Sequence, residues 1–110
     1  MRFYWGGSPD KIFNTAFSIN AWTHLTITYN GNQLLLYING TQITDKWTGT
    51  LSTKNKTSGM FYLGRDSRTG STALNGRLND VRIYDHALSK LEVKEIARGL
   101  VLHYKLDNII

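Results

Sequence analysis

The chain has 110 residues, 41% of them hydrophobic, with 10 glycines, a single proline and no cysteine. That suffices for one domain with its own core, excludes a multidomain layout, and leaves neither disulfides nor thiolate metal sites nor thiol catalysis. The formal net charge of +5 favours acidic partners. However, Lys54, Lys56, Arg65, Arg68 and Arg77 are spaced by Thr, Ser and Gly rather than clustered, and no nucleic-acid motif accompanies them, so nucleic acid is not the expected partner.

No apolar run is long enough to span a membrane, and Met1 to Gly7 has neither the apolar core nor the cleavage site of a signal peptide. Arg2 to Trp5 is an expected strand ended by the turn-forming Gly6-Gly7-Ser8-Pro9-Asp10. In the next stretch Ile12, Phe13, Phe17 and Ile19 suit short strand pieces, because Asn14, Thr15 and Ser18 are poor helix formers. From His24 to Tyr29 the pattern alternates, with Leu25, Ile27 and Tyr29 on one face and Thr26 and Thr28 on the other. Asn30-Gly31 predicts a tight hairpin turn, and Gln33 to Ile38 returns as the partner strand with Leu34, Leu36 and Ile38 sharing a face. A second turn, Asn39-Gly40, leads into Thr41 to Trp47, which completes an antiparallel meander.

Thr48 to Ser58 reads as a polar loop or weak edge strand, Met60 to Gly64 as a short apolar strand, and Arg65 to Thr72 as the loop best placed to meet a ligand. Val81 and Ile83 alternate with Arg82 and Tyr84 as a strand, while Leu78 is out of phase, which predicts a bulge near Asn79 and Asp80. Ser89 and Glu92 form a capping box, Leu88 and Val93 a hydrophobic staple, and Val93, Ile96, Ala97 and Leu100 an apolar helical stripe. Gly99 is placed to end that helix, and residues 100–107 alternate again as a final strand. Such short strands at regular spacing predict an all-β, antiparallel β-sandwich with one short C-terminal helix.

Three stretches carry a family resemblance. Trp22 to Gly31 followed by Leu34 to Gly40, Phe61-Tyr62-Leu63-Gly64-Arg65, and Gly76 to Leu88 with Ser89 to Ile96 resemble the central hairpin, the strand before the variable loop, and the strand-corner-helix ending of concanavalin A-like, laminin-G-like jelly rolls. Members of that family begin with a strand similar to residues 100–107, which here comes last. The expected division is therefore 1–99 as a laminin-G-like sandwich, N-terminally shortened, and 100–110 as a closing strand or the first strand of a following module. The ending resembles tandem modules of phage tail-associated proteins, which implies an extracellular or virion-surface setting.

Catalysis is not expected. The glucanase branch uses Glu-x-Asp-x-x-Glu on one strand, which this chain lacks, and its only glutamates, Glu92 and Glu95, lie on the helix. His24, His86 and His103 are scattered. The resemblance implies calcium at the sandwich rim, for which Asp66 and Asp80 are the oxygen donors, although Asp80 also suits a structural corner. The main expectation is a non-catalytic module for a glycan or cell-surface polysaccharide. Sugars stack on aromatic rings and have their hydroxyls read by polar side chains, so Trp47 and Tyr37, with Arg65, Asp66 and Arg68, are the candidate ligand-binding residues. Trp22 and Tyr84 fall in family motifs and are expected in the core. The competing expectation is a virion assembly module that binds no glycan and oligomerises through edge strands. Asn39-Gly40-Thr41 and Asn55-Lys56-Thr57 match the glycosylation sequon but read as turn chemistry.

Overall fold

A computed structural model describes residues 2–3, 11–16, 18–50, 62–65 and 73–107, with the backbone alone at 2, 3, 11 and 100–107. Its elements are β1 (Arg2–Phe3), β2 (Lys11–Ile12), β3 (Leu25–Tyr29), β4 (Gln33–Ile38), β5 (Thr41–Thr48) and α1 (Lys90–Asp107). β1 and β2 form a small antiparallel pair, and β3, β4 and β5 form a second sheet in that order. The predicted meander is therefore present, with β4 in the middle.

The two turns of the meander differ. At Asn39-Gly40 both residues have positive φ (51° and 80°), as a two-residue hairpin turn requires. At the first turn only Gly31 is left-handed, and the Asn30 side-chain oxygen accepts from the backbone N–H groups of Asn32 and Gln33 at 3.0 and 2.8 Å. The loop thus holds three residues closed by an Asx turn rather than the expected two. Between β4 and β5 the register shifts: from the Leu35–Lys46 pair to the Tyr37–Gln42 pair β4 advances two residues and β5 four. The bulge falls here, not at Asn79 and Asp80.

Leu34 and Leu36 are buried with Phe13, and Tyr29, Ile43 and Trp47 pack against them, so one face of β4 carries the core as its alternation predicts. Phe13 is delivered by the segment after β2, which is tied to β5 where the Asn14 N–H donates to the Asp45 carboxylate at 2.6 Å. Tyr37, on the opposite face of β4, is also buried. Leu25 and Ile27 are 43% and 36% exposed, so β3 is covered less than β4.

α1 starts as predicted. Ser89 Oγ accepts from the Glu92 N–H at 3.2 Å, and Val93 and Ala97 are fully buried. It does not stop at Gly99 but runs to Asp107, so the segment expected as a final strand is helical. A helix satisfies its N–H and C=O groups internally whereas a strand needs a neighbour, and a single glycine weakens a helix without ending it. The expected strand at 81–84 is likewise unpaired: Asp80 takes a φ of 52°, and Val81 and Ile83 are 50% and 77% exposed. Residues 62–64 form no strand, and Arg65 makes an isolated bridge to Ala73. Met60, Phe61 and the Gly6 to Asp10 turn lie outside the described residues.

The helix meets the sheet at Gly40. A Cβ there would lie 3.1 Å from the Ala97 Cβ and 3.2 Å from the Lys94 Cα, at a φ that side chains rarely adopt. Gly40→Ala is therefore expected to cost about 1–3 kcal/mol through strain and displaced helix backbone, and to lower Tm by several degrees in thermal unfolding.

Candidate functional site

Of the expected ligand residues, Tyr37, Trp47 and Arg65 fall within the described residues. Tyr37 is buried and offers no ring to a ligand, a consequence of β4 being covered on both faces. Trp47 is partly exposed on β5. Arg65 lies elsewhere, its guanidinium 4.5 Å from the centre of the Tyr62 ring. Asp66 and Arg68 lie outside the described residues.

Trp47 sits in a built corner of its own. Gly49, at a φ of 144°, passes so close to the indole that a Cβ would lie 2.9 Å from Cη2 and Cζ2. The Gly49 N–H donates to the Asn32 carbonyl at 2.6 Å, and the Tyr29 hydroxyl donates to the Gly49 carbonyl at 3.2 Å. The two chain turns at this end of the sheet are thereby locked together, and Asn30, Asn32 and Thr48 within them are exposed.

The second feature is a groove of about 420 Å³ between residues 24–29, on β3, and residues 82–88, with Asp80 and Ile96 also lining it. Its polar groups are already matched in pairs. Arg82 clamps Asp80 through both carboxylate oxygens, at 2.7 and 3.0 Å, and a further hydrogen bond to Tyr84 joins the Asp80 contact in holding the guanidinium more firmly protonated. His86 Nδ1 meets the Asp85 carboxylate at 2.8 Å, which raises the histidine and lowers the carboxyl. His24 is lowered, first by burial and then by Arg82, with Asp80 opposing. Its buried Nδ1 has no hydrogen-bond partner among the described residues. The ring of Tyr84 stands edge-on to His86 with centroids 6.1 Å apart.

Two expectations change here. Trp22 and Tyr84 are 51% and 41% exposed and do not belong to the core. Both Asp80 oxygens accept from Arg82, which matches its charge in place; among the described residues no three His, Cys, Asp or Glu side chains gather to hold a metal ion, and Asp66 is outside them. The described residues therefore do not fit a calcium site.

A family model of the laminin G type, described as the Concanavalin A-like lectin/glucanases superfamily, matches residues 1–94. The chain belongs to this superfamily. The concanavalin A-like, laminin-G-like relationship is thus shown over residues 1–94, with antiparallel strands and one helix. A solved relative is the 2.1 Å crystal structure of an S-layer domain-containing protein from Clostridium thermocellum, at 27% identity and a TM-score of 0.64. The match covers 84% of this chain and 46% of that one, so this laminin-G-like chain spans about half of that structure. No curated protein sequence matches it. Among the described residues no helix is long and apolar enough to cross a membrane.

The charge pairs make a titration test. His24 lowered means that stability rises with pH through the interval between its lowered value and the ordinary histidine value. His86 raised means that stability falls with pH through the interval between the ordinary value and its raised one. NMR titration is expected to show His24 losing its proton at lower pH than His86, and Asp85→Asn to return His86 to the ordinary range while leaving His24 in place.

Proposed function

We propose that this laminin-G-like chain is a non-catalytic carbohydrate-binding or adhesion module of a larger surface protein. The observation that carries the reading is the Trp47 corner. The Trp47 ring is partly exposed, Gly49 adds no side chain against it, and Asn30, Asn32 and Thr48 stand exposed within the same locked pair of turns. Sugar rings stack on an aromatic surface while amides and hydroxyls read their oxygens, which is the chemistry this corner offers. Asp66 and Arg68, on the polar loop after Arg65, remain part of the proposal as further hydroxyl readers, and Tyr37 leaves it.

The non-catalytic reading is supported by the carboxylates. Asp80 is clamped by Arg82, Asp85 is paired with His86, and Glu92 and Glu95 lie on α1 rather than on one strand in the glucanase pattern. In its full form we propose a two-sheet sandwich in which 1–99 is the module and 100–110 is a closing strand or the first strand of a following module, a division the family match ending at residue 94 accords with. A cell-surface setting accords with the S-layer domain-containing relative, whereas the phage-tail setting rests on the sequence of the ending alone.

A glycan array is expected to return at least one bound polysaccharide class. Asn32→Ala and Trp47→Phe, each checked for retained fold by circular dichroism, are expected to weaken that binding about tenfold, or ~1.4 kcal/mol. An array without signal, or variants that bind like the parent chain, would refute the reading.

A further inference from the structure

We propose that the groove beside β3 is a slot for an added β-strand, and that its occupant is residues 100–107 of a second copy of this chain, exchanged reciprocally between two copies. The lining of the cavity comes first. Successive side chains of a strand point to opposite faces, so a cavity lying over one face is lined by every second residue. Residues 24–29 line this one without a gap, and so do residues 82–88. The cavity therefore lies in the plane of the sheet, between two lengths of backbone. Among the described residues β3 is an outer strand, so alternate N–H and C=O groups along it point into the cavity instead of at β4. A row of that kind is completed by an entering strand. Leu25 and Ile27 on one wall and Ile83 on the other stand exposed, as apolar positions beside an unfilled strand would.

The occupant follows from the chain itself. Residues 100–107 alternate Leu100, Leu102, Tyr104 and Leu106 with Val101, His103, Lys105 and Asp107, the pattern of a strand seated in a sheet. Extended, eight residues reach about 26 Å, enough to run the length of β3. In this structure they continue α1 past Gly99, where a Cβ would meet nothing within 4 Å and where glycine weakens the helix. Along α1 they lead away from Ile96, the helix residue that lines the groove, by about 16 Å at Asp107. The segment is thus carried away from Ile96 along the helix axis, which favours the slot of another copy over its own. Reciprocal exchange fills both slots through one twofold interface and leaves neither β3 edge open.

The chain has no cysteine, so crosslinking is clean. Thr26→Cys on β3 in one preparation and His103→Cys in a second, differently tagged preparation are mixed and oxidised. The expected product is a covalent heterodimer, absent when Thr44→Cys on β5 replaces Thr26→Cys. Light scattering of the unmodified chain is expected to give twice the 12.5 kDa of one copy, and Leu102→Asp to raise the dissociation constant at least about tenfold with helix content kept. A chain that stays at 12.5 kDa across a dilution series overturns the proposal. So does a Thr26→Cys/His103→Cys double variant that crosslinks only within itself, which would mean the segment fills its own slot.

Discussion

The rest of the structure depends on β4 being sealed on both sides. Leu34 and Leu36 are buried on one face and Tyr37 on the other, so a one-residue slip would carry both leucines out of the cluster with Phe13 and put Gln33, Leu35 and Tyr37 on that face. Its two neighbours are held to it by the 30–32 loop and the Asn39-Gly40 turn, and everything with chemical potential is arranged around that fixed strip. The Trp47 corner sits at one end, where β5 and the first turn are tied by the Gly49 hydrogen bond to Asn32. At the other end the Asn39 side chain accepts from the His24 N–H, the His24 carbonyl accepts from the Asn39 N–H, and α1 rests on Gly40.

The outer strands are finished unequally. β5 is anchored to the Phe13 segment through Asp45, whereas β3 faces a groove whose far wall, residues 82–88, makes no ladder with it. The polar groups of that groove are spent on each other, Arg82 with Asp80 and His86 with Asp85, and surface pairs of this kind contribute little to stability. Their effect is to hold the 80–86 wall in shape beside the open edge. Two separate surfaces result: the Trp47 corner on β5, proposed to meet a sugar, and the β3 edge, proposed to accept a strand.

Local chemistry made much of this legible in the sequence. Asn39-Gly40, the Ser89 cap, and the alternation of Leu34 and Leu36 act within a few residues, and each appears in the structure as read. The failures share a cause: they concern residues whose state depends on a neighbouring strand. Residues 100–107 and 81–84 have strand-like alternation, but without a ladder partner the first continues a helix and the second stays unpaired. Trp22 and Tyr84 look like core residues and stand exposed, while Tyr37, which resembled a ligand platform, is covered because the sheet has two used faces. The groove was invisible to periodicity because it is made by an absent pairing, and no spacing of residues along one chain records that.

The account turns on β3 being an open edge, and amide hydrogen exchange along it is the most direct measurement. At high dilution the β3 amides directed at β4 are expected to be protected and the intervening ones to exchange quickly, while β4 is protected throughout; raising the concentration should then slow the intervening β3 amides alone. Uniform protection of β3 at every dilution would contradict the account, because it would mean that the edge is already paired within one chain.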